Sequence, residues 1–183
     1  SAGVFYSGKL CGLSSFDDTA SNEGHLHLLH SGRIQVIDEN NQNFWIEEPS
    51  LLFYPRPTSH RLMAEDADRA KVVCASIRYG TGTNNPLANA LPPASVIPLA
   101  SSQAFRSTTE ALFEEAFAER EGRQALMDRL TEIFLIQLLR HVMDAGLTQQ
   151  GMLAGLSHPQ LSKVMMAIHA DPAEHWSLDS MAE

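Results

Sequence analysis

His25-Leu26-His27-Leu28-Leu29, the pair Ser31-Gly32 and Arg33-Ile34-Gln35-Val36-Ile37 lead through the polar residues of Asp38 to Asn43 into Phe44-Trp45-Ile46, and this stretch decides the fold. Short apolar runs separated by Gly, Ser, Asn and Asp read as strands joined by turns, here an antiparallel meander. Leu51-Leu52-Phe53-Tyr54 adds a strand that stops at Pro55 and Pro57, which supply no ladder donor. From Lys71 to Tyr79 the chain alternates, with Val73, Ala75 and Ile77 on one face and Val72, Cys74 and Ser76 on the other. No helical pattern lies between these strands, so an antiparallel barrel or sandwich is expected rather than a parallel α/β sheet. Phe44, Trp45, Phe53 and Tyr54 are read as core residues rather than ligand contacts.

Working outward, Gly80 to Pro98 is rich in Gly, Asn and Pro and reads as a connector leaving the barrel. From Ser101 the period becomes helical: Leu112, Phe113, Ala116 and Phe117 recur at helix spacing until Gly122. A second helix is expected from about Arg123 to Ala145, with Gly146 placed for a left-handed cap. Between Ile133 and Leu139 only Gln137 is polar, an apolar surface too wide for one neighbour. After Thr148 to Gly155, a third helix is expected to open at Ser157 with Pro159 in its first turn, carry Leu161, Val164, Met165 and Ile168, and end at Asp171-Pro172. Trp176-Ser177-Leu178 opens a further helix that Glu183 cuts short, so the natural protein is expected to continue. The organisation is a barrel over residues 1–98, a helical segment over 99–147, and a linker leading into a further unit over 148–183.

The length, 183 residues, suits one domain with a helical appendage, and 44% hydrophobic against 19% charged residues is the composition of a globular chain. Thirteen Lys and Arg against 22 Asp and Glu give a formal charge of −9, which repels a polyanion, so the chain alone is no nucleic-acid binder. It has neither a spanning apolar run nor the basic and apolar segments of a secretory signal, so a cytoplasmic location without membrane contact is expected. Two cysteines, Cys11 and Cys74, are too few for a disulfide framework and are left as free thiols or metal ligands.

The polar candidates for chemistry are His25, His27, His30, His60, Cys11 and Cys74. Two imidazoles and two thiolates can complete a tetrahedral zinc site, and a barrel can assemble one from separate strands because inward positions converge. Period two places His25 and His27 on one face and His30 on the other, which makes His30 the weakest candidate. The bland alternative is a set of hydrogen-bonded strand histidines and a cysteine packed as a small hydrophobe.

Glu48-Pro49-Ser50-Leu51-Leu52-Phe53-Tyr54 followed by Pro55-Arg56-Pro57-Thr58-Ser59-His60 resembles the second cupin motif, with Pro57 where glycine is common. His25-Leu26-His27 resembles the first motif, but Ser31-Gly32 stands where cupin enzymes carry a glutamate. A more specific resemblance is to the N-terminal cupin-like domain of AraC-type transcription regulators. Its landmarks are Cys11-Gly12, His27 to Gly32, Tyr54-Pro55 through His60, Val73-Cys74, and Asn85-Pro86-Leu87 through Leu91-Pro92-Pro93. Gly155 to Pro172 and Trp176-Ser177-Leu178 resemble that family's linker and the opening helix of its DNA-binding domain.

The resemblance implies a mixed fold, an N-terminal antiparallel cupin-like β-barrel followed by a C-terminal helical segment. It singles out Cys11, His27, His60 and Cys74 as zinc ligands, structural or sensing, with His25, His27 and His60 as the rival set of a cupin enzyme. It further implies a homodimer through the helices, DNA contact only through a C-terminal domain beyond Glu183, and response to a small-molecule or redox effector, without catalysis. The alternative is a cupin metalloenzyme, an isomerase or dioxygenase.

Overall fold

The computed structural model describes residues 1–16, 23–79, 85–101, 103–146, 155, 158 and 160–177. Among these are the strands β1 (Ala2–Lys9), β2 (Gly12–Phe16), β3 (Glu23–Ser31), β4 (Ile34–Ile37), β5 (Asn43–Ile46), β6 (Ser50–Tyr54), β7 (His60–Ala64), β8 (Lys71–Arg78) and β9 (Ser95–Pro98). The helices are α1 (Pro86–Ala90), α2 (Gln103–Ala116), α3 (Arg123–Asp144) and α4 (Leu161–Ala170). The strands form two antiparallel sheets, ordered β1-β8-β3-β6-β9 and β2-β7-β4-β5. This is the expected barrel-like β architecture followed by helices.

The inner strands of the first sheet, β3, β6 and β8, are buried on both faces. Leu29, Leu52, Tyr54, Val72 and Cys74 point into the barrel, where they meet Ile34, Val36, Ile46 and Leu62 of the second sheet. Leu26, Leu28, Leu51, Phe53, Val73, Ala75 and Ile77 point the other way, onto Phe105 and Leu112 of α2 and Met127, Phe134, Leu138 and Val142 of α3. Two buried faces explain why β6 and β8 are near-continuous apolar runs and why β3 buries its His25 and His27 along with its leucines, and the alternation read in β8 is the division between the two cores. The second sheet packs on one face only: in β4 and β7 every other residue is buried.

Helix α3 ends as its sequence requires, with Gly146 in the left-handed conformation at φ 64°. Its buried residues Met127, Thr131, Phe134, Leu138 and Val142 line one face at spacings of four and three, and Leu126, Ile133 and Ile136 on other faces are about half exposed. No residue of α4 is buried; Asp171 ends it as expected, while Ser157, Pro159 and Leu178 lie outside the described residues.

Three expectations are corrected. The connector read over Gly80 to Pro98 contains α1 and also β9, which pairs with β6 and extends the first sheet. The starting helix α2 begins at Gln103, after a short 3-10 turn at Leu99–Ser101. Phe53 and Tyr54 are core residues, but Phe44 and Trp45 are exposed on β5, with the Arg33 guanidinium 4.7 Å above the Trp45 ring.

Gly32, at φ 80°, joins β3 to β4 directly beneath the 3-10 turn Asp66–Asp68. A Cβ there would lie 2.3 Å from Asp68 O and 2.5 Å from Arg69 C, both backbone atoms that cannot give way cheaply. The neighbouring Arg33 fastens the same turn, its Nε donating to Asp68 Oδ1 at 2.6 Å. Gly32→Ala is expected to lower unfolding free energy by about 2–4 kcal/mol, read as a fall in the urea midpoint with unchanged slope.

Candidate functional site: a histidine cluster inside the barrel

Strand β3 turns His25 and His27 to the barrel interior, two residues apart, and β7 presents His60 from the opposing sheet. His27 Nε2 and His60 Nε2 meet at 2.8 Å. His60 Nδ1 lies 2.8 Å from Thr58 O. A carbonyl only accepts, so His60 carries its proton on Nδ1 and its Nε2 lone pair accepts the proton of His27 Nε2. That leaves the Nδ1 lone pair of His27 facing inward, buried and without a hydrogen-bond partner. Burial, reinforced by His60 and His25, holds His27 well below the ordinary imidazole pKa, so this ring is neutral.

Aromatic rings close around the pair. Tyr54 stacks on one face of His60 at 4.1 Å and Phe16 on the other at 4.9 Å, while Phe16 also lies 4.7 Å from His27. The His25 ring is 5.4 Å from that of His60 and 6.0 Å from that of His27. Burial pushes the Tyr54 hydroxyl up to about 12. Phe16 was not legible as a site residue, because it meets His60 through the β2–β7 pairing and His27 across the two sheets, and the Thr58 carbonyl is a backbone group that no residue type announces.

Cys74 sits directly opposite His27 in the β3–β8 register and shares the inner face, in the apolar part of the barrel core. Burial pushes its thiol up to about 12, so it is an inert neutral group in this state. Cys11 is exposed at the corner between β1 and β2. The structure therefore joins His27 and His60, sets Cys74 on the same inner face, and leaves Cys11 outside. Among the described residues no three His, Cys, Asp or Glu side chains converge closely enough to hold a metal ion. Two nitrogens bound to one tetrahedral zinc stand about 3.3 Å apart, so the 2.8 Å pair would open slightly to admit one. The donor chemistry otherwise suits a metal, since one imidazole is already oriented through a backbone carbonyl.

His30 points out of the barrel, as its place in the alternation requires, edge-on to Phe113 at 4.6 Å and Phe117 at 5.5 Å. It lines an open cleft of about 540 Å³ beside α2 that also takes in Arg106 and Glu110 and shares no residue with the histidine cluster.

A buried neutral imidazole with a depressed folded pKa stabilises the protein fully above the unfolded value of about 6.5, and that contribution is lost as pH falls from there toward the folded pKa. Metal-stripped protein is expected to lose urea stability between about pH 7 and pH 5.5. His27→Phe should flatten this slope, leaving the smaller part due to His30, whose pKa desolvation and then Lys71 also lower. An unchanged slope in that variant would refute the assignment.

Residues 1–144 match the cupin family. An uncharacterized HTH-type transcriptional regulator of Haemophilus influenzae is 22% identical over 92% of this chain and 63% of its own length. A Streptomyces lividans protein described as an AraC-like transcription regulator is 25% identical over 66% of this chain and 40% of its own. The chain thus spans less than two thirds of each of these relatives. A structure of ToxT from Vibrio cholerae shares the fold, with a TM-score of 0.50 at 10% identity over 99% of this chain and 69% of that one. The chain belongs to the cupin family, in the form carried by AraC-like transcription regulators.

Proposed function

We propose that this chain is the effector-sensing and dimerising portion of an AraC-type DNA-binding regulator, with a metal site in its barrel and no catalytic activity. The observation that carries the reading is the buried His27–His60 pair, enclosed in the cupin barrel of a chain whose relatives are HTH-type regulators. The chain's acidic balance suits a sensor that leaves DNA reading to another domain. Cys11, His27, His60 and Cys74 are the proposed ligands of a zinc ion. Bound zinc would hold both thiols as thiolates. With zinc bound, the β1–β2 corner that carries Cys11 would be drawn to the barrel. Lost by oxidation, those thiolates would release it, which makes the site suited to redox or electrophile sensing as well as to a structural role.

Dimerisation is assigned to α3. One face is spent on the barrel sheet, and Leu126, Ile133 and Ile136 remain 48%, 48% and 53% exposed, too much apolar surface for a helix finished by its own chain. A two-fold pair would set two DNA-reading domains on two half-sites. Transcription regulators act in the cytoplasm, and no helix among the described residues is long and apolar enough to cross a membrane.

The second reading is a cupin metalloenzyme on His25, His27 and His60. It is favoured by the His25 ring, which brings a third imidazole beside the pair, 5.4 Å from the His60 ring and 6.0 Å from the His27 ring.

Protein prepared without added metal is expected to carry about one zinc per chain, and Cys74→Ser or His60→Ala to reduce it at least about tenfold. Iron or manganese retained fully in Cys11→Ser and Cys74→Ser would support the enzyme instead, and no metal in the parent would remove both. In sedimentation at roughly 10 µM, the parent is expected as a dimer and the Ile133→Glu, Ile136→Glu double variant as a monomer with the same far-UV spectrum.

A further inference from the structure

The pairing of β1 with β8 is broken at one residue. Val4 lies opposite Ala75 and Tyr6 opposite Cys74, which leaves Phe5 as an extra residue, a bulge on the edge strand of the first sheet. Its side chain and its neighbouring backbone face two different parts of the molecule. The Phe5 ring, 50% exposed, lies 6.0 Å from Phe16 and 6.2 Å from His25, and Phe16 is the ring stacked on His60. The backbone just before it belongs to α3: Val4 N–H donates to Asp128 Oδ1 at 3.0 Å, and Gln124 Nε2 donates to Val4 O at 2.7 Å and to Asp128 Oδ1 at 2.9 Å. Two residues beyond the bulge, Ser7 Oγ accepts from the Arg123 guanidinium and donates to Ala116 O at 3.3 Å, while Arg123 also donates to Ala116 O at 2.6 Å.

We propose that the β1 bulge is a lever that couples the histidine cluster to the first turns of α3. A bulge residue has no ladder partner, so its ring can follow Phe16 without breaking the β1–β8 pairing on either side. Its backbone neighbour cannot shift without pulling on Gln124 and Asp128, because β1 is an edge strand and these side chains take the outward amide and carbonyl of Val4. The path is short and physically contiguous, from His60 through Phe16 and Phe5 to Val4 and α3. It deepens the proposed function by naming the contact through which the state of the barrel would reach the dimer helix, and it rests on that reading only for what perturbs the cluster.

Hydrogen exchange on the whole chain tests it in two arms. Without metal, Phe16→Ala is expected to speed exchange in peptides covering 2–6 and 124–130 by about fivefold or more, and to leave 124–130 unchanged when combined with Phe5→Ala. Phe5 is half exposed, so Phe5→Ala is expected to keep the parent's thermal midpoint within a few degrees. A response of 124–130 to Phe16→Ala that persists in full without the Phe5 ring overturns the lever, as does a response confined to 12–16. In the second arm zinc is added to metal-stripped parent and Phe5→Ala. Slowing at 124–130 in the parent alone supports the lever, and equal slowing in both overturns it. No slowing anywhere in the parent removes the metal reading, and the first arm then decides the lever by itself.

Discussion

The architecture depends on one sheet being dry on both sides. Strands β3, β6 and β8 alternate side chains between a lumen bounded by the second sheet and a core shared with α2 and α3. Every odd-even step along them therefore assigns a residue either to the interior chemistry or to the helix layer, and a one-residue slip would exchange the two sets. His25 and His27 face the lumen for the same reason that Leu26 and Leu28 face α3. The division also keeps the two cores adjacent, with one strand thickness between a histidine and a helix.

Electrostatics inside the lumen follow from dryness rather than from charge. Burial disfavours an imidazolium at His27, and the neighbouring His60 and His25 disfavour it further, so this ring stays neutral with its Nδ1 buried and without a hydrogen-bond partner. The same dryness keeps Cys74 a thiol. Both groups are ligands in waiting in the chemical sense: each would need a cation to make its lone pair useful, and neither has the charged environment of a reactive nucleophile.

The inner strands β3, β6 and β8 were the most legible, because burial on both faces leaves them rich in apolar residues, and β8 even declared its two faces by alternation. Helices α2, α3 and α4 were legible from their period, and α3 also from Gly122 and Gly146 at its ends, whereas the five-residue α1 was not. The edge strands β1, β2 and β9 were not: β1 and β2 carry Gly and Ser and have several exposed residues, and β9 hides among prolines because an edge tolerates them. Of the site, His27 and His60 could be named from their motifs, whereas their contact and the Phe16 ring arise only when β2, β3 and β7 are brought together. Phe44 and Trp45 misled because an aromatic residue on an outer edge strand looks, in sequence, like one in the core.

The unequal burial of the two sheets has an evolutionary corollary. A substitution at Val36 or Leu62 reshapes the chamber from a wall whose other side is only solvent, whereas one in β3 or β8 is felt by the helix layer immediately behind it. Apart from Phe16 and His60, the four-stranded wall is therefore the one whose lining can drift at least cost to the helix layer, and the five-stranded wall behaves as a keel.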